Sequence, residues 1–183
     1  VFVDTFIGGG LVLDSHLRGG VTGNAGAVGS MPIWNADSAR AAASQPAQLL
    51  SVASLLTLER AYASAGLAAA AVGDARALQA PWRPLTLAWL ALAASGIAQA
   101  IQSAACLLDL EGAIVDGNFS RELLAALLDH TTQALDRCDW EGVARPQLMA
   151  GTIGSDARAL GGAWLPLHAN FAPDRELFLK VTA

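Results

Sequence analysis

Hydrophobic and polar residues alternate through Val1-Phe2-Val3-Asp4-Thr5-Phe6-Ile7, a spacing that predicts a β-strand. A second strand, Gly10 to Leu13, follows the glycine turn Gly8-Gly9, and Asp14-Ser15 turns the chain into a short segment at His16-Leu17-Arg18. The opening therefore reads as a β-meander. Gly19, Gly20, Gly23, Gly26 and Gly29 then mark a loop whose backbone packs closely or takes positive φ. Helical spacing takes over from there. Ser44 as N-cap and Pro46 in the first turn predict a helix running to about Ala65, with Gly66 as its C-cap. A short helix is expected from Ala68 to Leu78. Pro81 and Pro84 restart the chain into a long apolar helix ending near Asp109. Glu111 to Val115 reads as a buried strand, followed by a turn at Asp116-Gly117-Asn118. Ser120 caps the next helix, whose inner face carries Leu123, Leu124, Leu127, Leu128 and Leu135. Gln147 to Ala150 is a short strand, Asp156 to Ala169 a closing helix, and the tail alternates weakly at Leu177, Leu179 and Val181. Strands separated by helices predict an α/β fold with parallel neighbours, to which the meander adds antiparallel ones. No internal repeat or low-complexity linker interrupts this order, so residues 1–183 are expected to form one domain.

Composition narrows the class. The 183 residues are 54% hydrophobic and only 15% charged, which excludes disorder and fibrous repeats. Alanine occurs 39 times, so the core is expected to consist of closely packed helices. A net charge of −5 repels phosphate and makes this segment a poor nucleic-acid binder. Cys106 and Cys138 fall within apolar helical patterns and read as reduced structural thiols. The stretch from Pro84 to Leu108 is uncharged and long enough to cross a bilayer. Gln99 and Gln102, one turn apart, give it a polar edge, so the expectation is a buried helix, no membrane association, and a cytoplasmic protein.

The candidate chemistry begins at Ile7-Gly8-Gly9-Gly10, where backbone without side chains can approach a phosphate or a ribose, or can simply form a hairpin. The longer stretch is more specific. Phe6-Ile7-Gly8-Gly9-Gly10-Leu11-Val12-Leu13-Asp14, then Leu17, Gly20, Gly23-Asn24-Ala25-Gly26 and Gly29-Ser30-Met31, resembles the signature region of the ROK family. That family comprises bacterial sugar kinases and sugar-responsive transcriptional repressors. Leu58-Glu59-Arg60-Ala61-Tyr62-Ala63-Ser64 resembles its Leu-Glu-x-x-x-Ser helix, with Ser64 one position late. Ala113-Ile114-Val115-Asp116-Gly117 resembles the strand and glycine turn near the nucleotide, and Gly154 to Ala163 the final helix. The resemblance implies the C-terminal lobe of an actin-like ATPase, ribonuclease-H-like fold. It places the N-terminal lobe, and any helix-turn-helix, outside this chain.

The same resemblance exposes departures. The family's Gly-Thr-Gly-x-Gly-x-Gly phosphate loop has Asp4 and Phe6 at its first and third positions here. The upstream Asn-Asp pair that supplies a kinase's general base would lie before Val1. Gly20 to Ser30 matches the sugar-pocket motif, but Ala27 replaces its glutamate and Ser30 its histidine. No cysteine or histidine lies between Ser30 and Glu59, which argues against zinc and against any metal site. Val52, Leu55, Glu59 and Tyr62 share one helical face, so the Glu59 carboxylate is expected on an apolar side. It either pairs with Arg60 or Arg18, sits at a partly exposed edge, or, as the resemblance implies, holds a sugar hydroxyl. Asn24 and Ser30 are secondary sugar-binding candidates, or turn residues. His16, His130 and His168 share no ligand spacing. Trp82, Trp89 and Trp164 read as core or interface residues.

Two functions follow from the resemblance. In one, the chain is the sugar-binding effector domain of an N-acetylglucosamine-repressor-like regulator. It would carry no cofactor, its ligand would be a sugar or sugar phosphate, and DNA would be bound only through the missing domain. In the other, it is the C-terminal lobe of an ATP-dependent hexose or amino-sugar kinase. Gly8, Gly9, Gly10 and Gly117 would then contact nucleotide with Mg²⁺, and the catalytic base would lie upstream. Either form is expected to be a homodimer or homotetramer.

Overall fold

Val3 and Val115, both fully buried, lie on adjacent parallel strands at the centre of a mixed sheet. The computed structural model describes residues 1–34 and 46–171, so the expected cap Ser44 and the alternating tail lie outside the described residues. The sheet has the order β2-β1-β7-β8: Ile7–Gly8, Phe2–Val3, Gly112–Gly117 and Gln147–Ala150. Strand β2 runs antiparallel to β1, whereas β1, β7 and β8 are mutually parallel. The alternating opening segment is thus a hairpin rather than one strand. It turns at Asp4-Thr5-Phe6, where the Asp4 N–H donates to the Phe6 carbonyl at 2.9 Å. A second hairpin, β3 (Leu11–Leu13) with β4 (His16–Arg18), follows through the left-handed pair Asp14 and Ser15. A third small pairing joins β5 (Pro32–Ile33) to β6 (Ala47–Gln48).

The helix expected over 46–65 is broken in two, α1 (Leu50–Ala53) and α2 (Leu55–Ser64). Ser54 between them is extended (φ −70°, ψ 148°), and its carbonyl accepts a hydrogen bond from the Trp89 indole at 3.2 Å. The Leu55 N–H, the first of α2, donates to the Asp4 carbonyl at 2.7 Å. These long-range bonds outweigh the local helical preference. Gly66 takes φ +72° after α2 and lets Leu67 N–H reach the Tyr62 carbonyl, as a C-cap glycine does. Residues 69–78 form two 3₁₀ turns instead of a short α-helix.

The 26-residue α3 (Arg83–Leu108) carries the core. Leu90, Ala93 and Ile97 are fully buried along it, and a Cβ added at Gly96 would stand 2.9 Å from both Ile33 and Leu49. By length and composition this helix is long and apolar enough to cross a membrane. Its polar edge, however, is bonded within the protein. Gln99 pairs with the Trp34 backbone, accepting from its N–H and donating to its carbonyl at 2.8 Å each. Gln102 donates to the Asp139 carbonyl at 2.6 Å. Cys106 is exposed near the end of α3, against the expectation of a packed structural thiol. Cys138 is half-buried, and burial pushes its thiol pKa up.

Helix α4 (Arg121–Leu135) starts where Ser120 Oγ accepts from Leu123 N–H at 3.2 Å, and it buries Leu123, Leu124, Leu127 and Leu135. Tyr62 is fully buried in the same core, which raises its hydroxyl pKa, and it hydrogen-bonds Thr86 Oγ1. Thr86 Oγ1 in turn donates to the Ala77 carbonyl. Tyr62→Phe is expected to cost about 1 kcal/mol, because Thr86 keeps its own acceptor and no buried group is orphaned. Urea denaturation checks this, and a loss beyond about 3 kcal/mol contradicts it. Residues Val1–Thr152 form one compact unit. A second unit begins at Ile153, and in it α5 spans Ala157–Phe171.

Candidate functional site at the carboxyl ends of the parallel strands

In open α/β sheets, ligands bind beyond the carboxyl ends of the parallel strands. Here β1 and β7 end side by side, with Val3 paired to Gly117, and β8 leads into Gly151. Two carboxylates occupy that edge. Asp4 is 6% exposed and Asp116 7%. Asp4 Oδ1 accepts from the Thr5 N–H at 2.7 Å and from the Asn118 side-chain amide at 3.3 Å. Asp116 Oδ1 accepts from the Gly117 N–H at 2.9 Å and from the Arg121 guanidinium at 3.0 Å. The same Arg121 nitrogen donates to the Gly151 carbonyl at 2.9 Å.

Two glycines make this arrangement possible. A Cβ at Gly151 would lie 2.4 Å from the Asp116 Cβ. One at Gly117 would lie 2.1 Å from the Phe119 ring and 2.5 Å from the Val3 carbonyl oxygen. Gly117 is therefore required by packing, whatever it does for a ligand. Phe6, at the third position of the phosphate-loop motif, is 65% exposed.

The glycine cluster is also mainly a close-packing device. A Cβ at Gly9 would meet Val28 and the Gly26 carbonyl at about 3 Å, and one at Gly26 would stand 2.8 Å from the Gly10 backbone. Gly29 lies against the Ile7 carbonyl, 2.4 Å from an added Cβ. Gly8 alone of the three consecutive glycines has open space, with no atom within 4 Å of an added Cβ. Asn24 and Ser30 lie on the loop so packed, and both are exposed. Asn24 stabilises its turn, donating to Thr22 Oγ1 at 3.2 Å while its carbonyl accepts from Ala27 N–H.

Glu59 lies on α2 four residues beyond Leu55, about 6 Å along the helix axis from the residue anchored on Asp4. The fully buried face of α2 runs through Leu58 and Tyr62, and Glu59 flanks it, half-buried. No hydrogen bond or ion pair joins Glu59 to another described residue, so neither Arg60 nor Arg18 neutralises it; Arg18 pairs with Asp14 at 3.3 Å. The structure thus brings α2 and the strand-end turn together. Asn118 reads in the sequence only as a turn residue, and the roles of Arg121 and Gly151 escape it. The available signal was an arginine five residues after Asp116, just past the Ser120 helix cap. Among the described residues, no three side chains of the His, Cys, Asp or Glu type converge as metal ligands would.

The fold is shared with solved ROK proteins. A ROK family glucokinase from Streptomyces griseus, in complex with glucose and AMPPNP, superposes with a TM-score of 0.67 at 20% identity over 90% of this chain. A ROK family protein from Streptococcus pneumoniae TIGR4, in complex with sucrose, gives 0.66 at 18% identity over 93%. The ROK hexokinase from Thermus thermophilus gives 0.61 at 22% over 92%. The present chain spans 58% of the length of each of these three. No family model matches the sequence, and no curated protein does. The chain therefore shares the α/β fold of these ROK proteins over 90% or more of its length.

Proposed function

We propose that this chain is the sugar-binding lobe of a ROK-type, sugar-responsive transcriptional regulator. The observation that carries this reading is the Asp4 carboxylate, held at the end of β1 with 6% exposure. A nucleotide phosphate about 5 Å from such a charge meets a repulsion on the order of 3 kcal/mol per unit charge at an effective dielectric of 20. Glu59, half-buried and without a partner among the described residues, is the group in this region best suited to accept from sugar hydroxyls. Asn24 and Ser30 are its secondary partners on the glycine loop. Sugar binding would shift the angle between this lobe and an upstream one, and thereby a DNA-binding segment outside this chain. The protein would act in the cytoplasm as a homodimer or homotetramer, without zinc.

A second reading is kept by Gly8, whose surroundings are open, and by the kinase identity of the structural neighbours. In it the lobe serves an ATP-dependent sugar kinase. Gly8 to Gly10 and Gly117 would lie near the nucleotide, Mg²⁺ would neutralise the phosphates, and the general base would come from the other lobe. The two readings are separated by assaying sugar-dependent ADP release by the full-length protein. The regulator reading predicts none above the no-sugar control. Steady turnover with a hexose or an amino sugar contradicts it.

A further inference from the structure

Four donors at the strand-end edge belong to the kinds that hold phosphate: two backbone N–H groups at strand termini, a side-chain amide and a guanidinium. Each of the four makes a hydrogen bond inside the molecule, Arg121 through one guanidinium nitrogen of a half-exposed side chain. The Thr5 and Gly117 N–H groups are bonded to the carboxylates of the residues preceding them, at 2.7 and 2.9 Å. Asn118 serves Asp4, and Arg121 serves Asp116 at 3.0 Å. The carboxylates are not incidental surface groups, since both are nearly buried and Gly151 has given up its side chain where Asp116 lies.

We propose that this edge is an anion-binding arrangement occupied from within, with Asp4 and Asp116 as the residues that exclude external phosphate. Each aspartate acts twice. Its charge repels an incoming anion, and its oxygen saturates the N–H that the anion needs. The inference deepens the reading of the lobe as one that works without nucleotide, and it makes that property reversible. Replacing the two carboxylates should uncover two amides and release Arg121 toward a ligand.

The test is calorimetric titration of inorganic tripolyphosphate into the full-length protein at low salt. Three forms are compared: the unaltered protein, Asp4→Gly/Asp116→Gly, and Asp4→Asn/Asp116→Asn. The asparagine pair removes charge but leaves an oxygen over each N–H, so it separates repulsion from occupancy. The glycine pair is expected to bind about tenfold or more tightly than the unaltered protein, the fold-change of a single charge-assisted hydrogen bond. The asparagine pair is expected to fall between them. Adding Arg121→Ala to the glycine pair should remove part of the gain, and added salt should weaken what remains. If the glycine pair does not fold, Asp4→Gly alone carries the test, because Asp4 lies in a turn that accepts glycine. A folded glycine variant that binds no better than the unaltered protein overturns the proposal, as does a gain that Arg121→Ala leaves undiminished. The sugar response is not read in this titration, so its failure would leave the effector reading to be judged by its own assay.

Discussion

Gly117→Ala is expected to destabilise the lobe by about 3 kcal/mol, toward the upper end for forcing a methyl group into a packed interior. The position lies at the end of β7, paired with Val3 of β1. An added Cβ would stand 2.5 Å from the Val3 carbonyl oxygen, and that oxygen already accepts the Asn118 N–H at 3.0 Å. The Phe119 ring can swing away from its 2.1 Å contact, but the carbonyl cannot move without parting the two central strands. Gly73→Ala provides the control. It has no atom within 4 Å of its added Cβ and does not need positive φ, so it should change stability by no more than about 0.5 kcal/mol. Guanidinium denaturation of the two variants side by side measures the difference. Equal midpoints would mean that the β1–β7 edge is less tightly closed than described.

Glu59→Ala has the largest expected functional effect. The side chain flanks the buried face of α2 and bonds no described residue, so its removal should leave the fold intact. At a sugar concentration about a hundred times Kd, binding stabilises a protein by roughly 2.7 kcal/mol. The variant should lose nearly all of that increment while keeping the stability of the unliganded protein. Thermal melts of the full-length protein with and without sugar read both quantities. An unchanged sugar-induced shift would remove Glu59 from the site. A lower melting temperature without sugar would instead make it structural.

Local signals in the sequence located some elements closely. Gly66 as a C-cap and Ser120 as an N-cap depend on chemistry confined to a few neighbouring residues, and both are found in those roles. The polar edge of the long helix was also legible, because Gln99 and Gln102 in an uncharged run need partners wherever they lie. What the local pattern could not reveal was set at long range. The break at Ser54 depends on Trp89 and Asp4, which are distant in sequence. Alternation through residues 1–7 cannot distinguish a strand from a hairpin when the turn is closed by backbone bonds alone. The glycine cluster did announce close approach, but the partner is the chain's own loop, with Gly26 against Gly10. At the site, Asp4 was legible as a departure from a motif. The roles of Asn118 and Arg121 were not, since both depend on the pairing of β1 with β7.

Whether the full-length protein binds sugar without nucleotide separates a regulator lobe from a kinase lobe most directly. Calorimetric titration with glucose and with N-acetylglucosamine, repeated in the presence of AMPPNP and Mg²⁺, measures this in one series. Saturable heat with a sugar, no heat with the nucleotide, and an unchanged sugar affinity when both are present is the predicted result. Tight nucleotide binding that strengthens sugar binding would contradict it and assign the lobe to a kinase.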